Sequence, residues 1–330
     1  MKFIGALIFV FSIANTGCSG VGFSDSNSSS SSKAQGTGGT GGSGGGGTGS
    51  TGGNGSGGDI SGGGNGLGDD DPYRDVGGLD LTPSNCTNAV NNITYPLKIT
   101  FLVDASGSNK ASSSEKTDPD RNFRYYSIAS FLTKFAAKTN FSYQMVHFQG
   151  SSASTYINSP TTSMPYFGTA NELWEALNYF KNNVSDGGRT PYKAAFNAGK
   201  YVIENGGVDA PNTRYVVILV TDGMPTDYLK TVTDPTGYSV VDAFSNGTYS
   251  VVDESSILTD AVNVVGIKPG KTTLSTVFYG RNNQSYTAAA KLRLQNIAVT
   301  GSGKFFDASL LQQIHVEDTI SVPGLACTTK

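Results

Sequence analysis

The sequence predicts an α/β protein: a doubly wound, mostly parallel central sheet with helices on both faces, preceded by a disordered Gly/Ser tether. Three observations carry this. Residues 97–103 (LKITFLV) and 215–221 (YVVILVT) are short, nearly all apolar runs, as expected of strands covered on both faces. Between and beyond them, strand-like runs alternate with apolar stripes at helical spacing. Residues 19–68, by contrast, are almost wholly Ser, Gly, Thr and Asn.

Taken in order, 97–103 is the first strand. Residues 121–138 carry Ile128, Phe131, Leu132, Phe135 and Ala136 as a helical stripe, and 141–149 returns to strand. Residues 171–181 place Leu173, Trp174, Leu177 and Phe180 at helical spacing. Residues 191–204 form the next helix, with Pro191 in its first turn. After the central strand at 215–221 come a helix at 256–265, a strand at 273–279, a helix at 286–299 and a short strand at 304–306. A last helix is expected to begin over 310–316.

The first quarter of the chain cannot form a core. Residues 1–17 read as an export signal, with Lys2 as its basic start and 3–14 as an apolar stretch too short to span a bilayer permanently. The run Asn15-Thr16-Gly17-Cys18 resembles a bacterial lipobox, which makes Cys18 the expected lipidation site and lipid anchor. Asn15 stands where an aliphatic residue is usual, and the alternative is a plain secretory signal with Cys18 an incidental thiol. Ser19 lacks the acidic character associated with inner-membrane retention, which points to the outer membrane or cell surface. The linker buries too little apolar surface to offset its ordering entropy. As a flexible coil of about 65 residues it spans roughly 45 Å. Residues 69–71 and Asp75 close it with solvated charges. The expected organisation is therefore signal 1–17, lipidated Cys and linker 18–85, and a globular domain 86–330.

Net charge is −3 and the folded part has no Lys/Arg run, so no nucleic-acid surface is expected. With Cys18 lipidated, Cys86 and Cys327 remain as a pair that an exported protein would oxidise.

The polar residues that end the apolar strands carry the chemistry. Asp104-Ala105-Ser106-Gly107-Ser108 leaves the first strand with one carboxylate and two hydroxyls, hard oxygen donors suited to Mg²⁺. Asp222 leaves the central strand within Val220-Thr221-Asp222-Gly223-Met224-Pro225, and Thr190 precedes Pro191 after Asp186-Gly187-Gly188-Arg189. In open α/β sheets, ligands bind where strands end at their carboxyl edge. Taken singly, each string is also an ordinary turn or helix cap.

Together, and in this order, these three strings resemble the metal-ion-dependent adhesion site of the von Willebrand factor type A domain. The resemblance covers roughly residues 97–318. The stretch Gly303-Lys304-Phe305-Phe306-Asp307-Ala308, followed by Leu310-Leu311-Gln312-Gln313-Ile314, is similar to the family's last strand and helix. The resemblance implies that Ser106 and Ser108 bind a Mg²⁺ ion (or Mn²⁺ or Ca²⁺) directly. It further implies that Thr190 binds directly in a ligand-engaged state, and that Asp104 and Asp222 act mainly through water. Such an ion accepts a partner's Asp or Glu carboxylate. The family's last helix shifts with site occupancy, and a Cys86–Cys327 bridge is expected to limit that shift.

Two polar insertions, 109–122 and 226–250, depart from the family pattern. Tyr228, Tyr238, Phe244 and Tyr249 in the second could serve partner specificity or anchor the loop, as could Tyr156, Met164, Tyr166 and Phe167 after the second strand. His147 and His315 adjoin no nucleophile in sequence, and no Gly-x-Ser-x-Gly or phosphate loop occurs, so no enzyme is expected. The expected function is tethered, metal-dependent protein binding of an adhesin kind. The alternative is an envelope scaffold that uses the same site in cis.

Overall fold

The computed structural model describes residues 78–325 and Cys327, apart from Ser245 and Asn283. The export signal, Cys18, the linker to residue 77, and the charges at 69–71 and Asp75 lie outside the described residues.

The chain enters through a single turn of helix, α1 (Thr87–Asn91), and then alternates strand and helix. The elements are β1 (Leu97–Asp104), α2 (Asn122–Phe135), β2 (Phe141–Gln149), β3 (Ser152–Thr155), α3 (Ala170–Asn183), α4 (Tyr192–Asn205) and β4 (Arg214–Thr221). A small insertion follows as β5 (Leu229–Val232), β6 (Val240–Phe244) and β7 (Thr248–Val252). The chain then continues through α5 (Glu254–Gly266), β8 (Thr272–Phe278), α6 (Thr287–Thr300), β9 (Ser302–Asp307) and α7 (Val316–Thr319). Among the described residues no helix is long and apolar enough to cross a membrane.

The main sheet has the order β3-β2-β1-β4-β8-β9. All its pairs are parallel except the short edge strand β3, which is antiparallel to β2. Every residue of β1 is buried, and so is β4 beyond Arg214, because helices cover both faces. Alternate residues serve the two sides. Ile99, Phe101, Val103, Val216 and Ile218 pack with Phe131, Leu132 and Leu177 of α2 and α3. Leu102, Val217 and Leu219 pack with Phe196, Ile257 and Leu294 of α4, α5 and α6. The predicted doubly wound α/β architecture is the one observed.

Topology decides where a site can form. From β1 the chain moves outward to β2, then returns past β1 to place β4 on its other side. The winding reverses between β1 and β4, and a crevice opens beyond the carboxyl ends of those two strands. Asp104 ends β1, and Asp222 immediately follows β4.

Three expectations need correction. No last helix begins at residue 310. Leu310 is 87% exposed, and only Val316–Thr319 is helical. Instead Ile314, Val316, Ile320 and Val322 supply the buried side chains of a largely extended tail. This tail is held to β8 by Thr273 Oγ1 donating to the Ser321 carbonyl (2.6 Å) and Ser275 Oγ to that of Thr319 (2.7 Å). The element expected to shift with site occupancy is therefore a single turn. Pro191 stands at the N-cap of α4 rather than in its first turn. The 226–250 insertion is not a plain loop but folds as a three-stranded antiparallel sheet, β5-β7-β6. Within it Tyr228 is a buried anchor, bonded to Asp260 of α5 (2.6 Å), while Tyr238 is exposed under Lys230. Residues 152–155, to which the sequence reading assigned no element, form the edge strand β3.

A Cys86–Cys327 disulfide joins the start of the domain to its tail, with a Cα–Cα distance of 5.0 Å.

Candidate functional site

The five expected ligands come from three chain segments that meet at the β1/β4 crevice. Asp104 is fully buried and committed on both oxygens. Oδ1 accepts from the Ser106 backbone N–H (2.7 Å), and Oδ2 from the Thr221 hydroxyl (2.6 Å). The turn after β1 brings Ser106 and Ser108 back over it, their hydroxyls 3.0 Å apart. Ser108 Oγ donates to Asp222 Oδ1 (2.9 Å), closing a chain of oxygens from the first loop to the third. Asp222 Oδ2 is buried and has no hydrogen-bond partner among the described residues.

Thr190 completes the set from the second loop. Its backbone N–H donates to Thr226 Oγ1 (3.1 Å), and its carbonyl accepts from the Thr226 N–H (3.0 Å). The cap reading of Thr190 fails. The free N–H groups at the start of α4, on Lys193 and Ala194, are taken by Asp227 Oδ2 (2.8 and 3.4 Å), and no side chain caps the helix at its N-cap. The Thr190 hydroxyl instead lies beside Gly223, 3.8 Å from where a Cβ there would sit. Of the five residues only Ser108 is partly exposed, so it marks the opening.

Backbone bonds lock the loops together. Ala105 N–H reaches Phe148 O (2.9 Å), Gly187 N–H reaches Ala105 O (2.8 Å), and Gly107 N–H reaches Gly188 O (3.0 Å). Gly188 has φ +67°, and a Cβ there would fall 2.8 Å from the Gly150 Cα, so this crossing requires glycine.

Beneath the site lies a group that single-sequence reading missed. Arg124 of α2 is fully buried and donates to the Asp104 carbonyl (2.6 Å), to Asp118 Oδ2 (2.8 Å) and to Asp186 Oδ1 (2.8 Å). Asp118 also caps α2 through the N–H groups of Phe123 and Arg124. One guanidinium thus ties the first loop, the 109–122 insertion and the second loop together. Thr221 was also missed as a participant, although it ends an apolar strand next to Asp222. Tyr192, buried, props the third loop by donating to the Gly223 carbonyl (2.8 Å).

Electrostatics make the crevice a place for positive charge. Burial pushes the Asp222 carboxyl well above the usual range, and the neighbouring Asp104 charge pushes it further; the Ser108 hydroxyl bond, the nearby Thr117 hydroxyl, which is too far or too poorly aligned to satisfy Oδ2, and Arg124 oppose this. Burial likewise raises Asp104, against the hydrogen bonds from Thr221 and Ser106. Two buried carboxylates with an unpartnered oxygen, surrounded by hydroxyls, form a hard-oxygen donor set that fits Mg²⁺, Mn²⁺ or Ca²⁺. Among the described residues no group of three or more His, Cys, Asp or Glu could hold a metal, so a cation held here would also need the hydroxyls. At the rim, Lys110 and Arg189 are exposed, with Lys110 Nζ 3.2 Å from the Cβ position of Gly187.

No protein-family model matches the chain, and no curated protein matches it. Solved structures similar to it include the pilus adhesin SpaC from Lactobacillus rhamnosus GG, at 17% identity over 66% of this chain and 29% of that one, with a TM-score of 0.46. Another is the vWF domain of the type V pili tip protein Mfa5 from Porphyromonas gingivalis, at 12% identity over 67% of this chain and 92% of that one, TM-score 0.43. A third is the manganese-loaded TRAP protein of Plasmodium vivax, at 15% identity over 62% of this chain and 63% of that one, TM-score 0.40. The chain spans less than a third of the SpaC chain it matches, 29% of its length.

Proposed function

We propose that this protein is a membrane-tethered, cation-dependent binding protein of the von Willebrand factor A kind, which captures an Asp or Glu side chain of a protein partner. The observation that carries the reading is the unpartnered, buried Asp222 Oδ2 beside the Asp104–Ser106–Ser108 chain of oxygens. When bound, Mg²⁺ (or Mn²⁺ or Ca²⁺) supplies an electrophilic position open to a carboxylate. The chain does the rest. Asp104 and Asp222 provide buried negative charge to retain the ion. Ser106, Ser108 and Thr190 contribute neutral oxygens, so the ion's charge is not cancelled. Lys110 and Arg189 at the rim favour approach of an acidic partner. Neither histidine is engaged with these serines; His315 is bonded to Lys134 Nζ (2.8 Å) and faces Asp80. The role is recognition, with no bond cleaved.

The test is a pull-down from whole cells with the full chain immobilised. Capture should be reversed by EDTA, restored by Mg²⁺, and lost in Thr190→Ala, a variant expected to keep wild-type stability because its hydroxyl caps nothing. EDTA-insensitive capture would refute the reading. A second reading, an envelope scaffold acting in cis, uses the same site. It is favoured if co-purifying envelope proteins, rather than ligands on other cells, fill the eluate.

A further inference from the structure

Where residues 156–166 pass α3, the helix turns a stripe outward, and no cation ligand lies in this groove. Glu172, Glu175, Ala176 and Tyr179 fall at i, i+3, i+4 and i+7, one face of the helix. Across an open groove of about 450 Å³ they meet Tyr156 and Tyr166. Ala176, the small residue on the stripe, is buried at the bottom; Tyr179 is 55% exposed above it.

The groove has a definite charge. Its lining contains two glutamates and no lysine or arginine. Glu172 is fixed in place, its carboxylate accepting from the Thr169 N–H (2.7 Å), the Thr169 hydroxyl (2.9 Å) and the Tyr166 hydroxyl. Those bonds hold its pKa below the usual value even though partial burial works the other way. Glu175 is exposed and makes no hydrogen bond or ion pair among the described residues. The Tyr156 hydroxyl is buried in the wall without a partner.

We propose that this groove is a second binding site, taking an arginine side chain presented by a protein partner. A guanidinium stacks flat on an exposed tyrosine ring and forks onto a carboxylate, which matches Tyr179 and Glu175 one helical turn apart. Glu172, already ordered, adds a second negative charge at no further cost in side-chain entropy. A lysine ammonium, a compact and strongly hydrated point charge, gains less from the ring.

The site is tested by titrating the isotopically labelled full chain with N-acetyl-arginine amide and following backbone amide signals. Saturable shifts at Glu175, Tyr179 and Tyr156 are expected, with none from the neutral isostere N-acetyl-citrulline amide. Glu175→Gln should weaken binding about tenfold, the loss of one charge-assisted pair, and Tyr179→Ala should weaken it further. Both residues are exposed, so these variants should fold. EDTA should leave the titration unchanged, since no cation-site residue lines the groove. Equal shifts with citrulline, no saturable shift with the arginine probe, or undiminished binding in Glu175→Gln would overturn the proposal. A titration abolished by EDTA would overturn the groove as a separate site.

Discussion

Thr221 donates its hydroxyl to Asp104 Oδ2 at 2.6 Å, one residue beyond the paired Val103 and Val220. The bond joins the ends of the two strands that flank the reversal of winding. Asp104 is therefore positioned by the sheet, the most rigid part of the molecule, and not by its loop alone. Both of its oxygens are spent on the chain, whereas Asp222 keeps one free. That asymmetry separates a carboxylate that shapes the site from one with an oxygen left to receive something.

Cation linkage follows from Asp222. A carboxyl whose folded pKa is raised binds more protons folded than unfolded, so stability falls as pH climbs above the ordinary value of 3.8. In EDTA, wild type should lose stability relative to Asp222→Asn from about pH 4 upward, and the two should converge below it. At pH 7, Mg²⁺ at a hundred times its Kd should return about 2.7 kcal/mol to wild type and nothing to the variant. Scanning calorimetry at both pH values, with and without EDTA, measures this. Equal stabilisation of Asp222→Asn would place the cation elsewhere.

Arg124 should be among the costliest positions to change. Arg124→Met leaves Asp118 buried without its counter-ion and Asp186 with Arg121 alone (3.2 Å), an expected loss of about 3–5 kcal/mol in denaturant unfolding. Arg124→Lys should recover little, since an ammonium cannot reach both carboxylates and the Asp104 carbonyl at once. A loss below about 1 kcal/mol, as for a surface pair, would contradict the buried network.

The parts of this molecule legible in its sequence are those where local composition and tertiary role coincide. Strands buried on both faces are nearly continuous apolar runs, and the 141–149 strand is found with its ends unchanged. Asp104 and Asp222 were visible because a carboxylate interrupts such a run. Arg124 was not: on a helix it reads as one more surface charge, and its partner Asp186 lies 62 residues away. The tail misled for a different reason. Leu310, Leu311 and Ile314 have helical spacing, yet only Ile314 packs, through a chain held by side-chain bonds from β8 that no local pattern announces.

Acid sensitivity should arise at the opposite end of β4. Partial burial disfavours the Asp209 charge, but the Tyr215 hydroxyl, Lys268 and Lys98 outweigh it and bring its pKa to about 2. Because this folded pKa is depressed, the stabilisation is present above 3.8 and is lost as pH falls towards 2. Asp209→Asn should cost on the order of 1–2 kcal/mol at pH 7, discounted for solvent screening, and almost nothing near pH 2. A difference between variant and wild type that does not change with pH would rule out this ion cluster as the source.

The Cys86–Cys327 bridge should act on stability and not on the cation site. It closes a sequence separation of 241 residues. In the chain-entropy account a loop that long stabilises by about 5 kcal/mol, less any native strain. The tail it secures is pinned to β8 at Ser321 and Thr319, and its only helix among the described residues is the single turn Val316–Thr319. Among the described residues no long terminal helix is available to carry a displacement from the crevice to the bridge. Reduction, or Cys327→Ser, should therefore lower the denaturation midpoint while leaving Mg²⁺ affinity within about twofold, an energy difference near 0.4 kcal/mol. Calorimetric Mg²⁺ titration of oxidised and reduced protein decides it. A larger change in affinity would mean that the tail and the crevice are coupled through the sheet itself, since the tail is bonded to β8 and β8 pairs with β4.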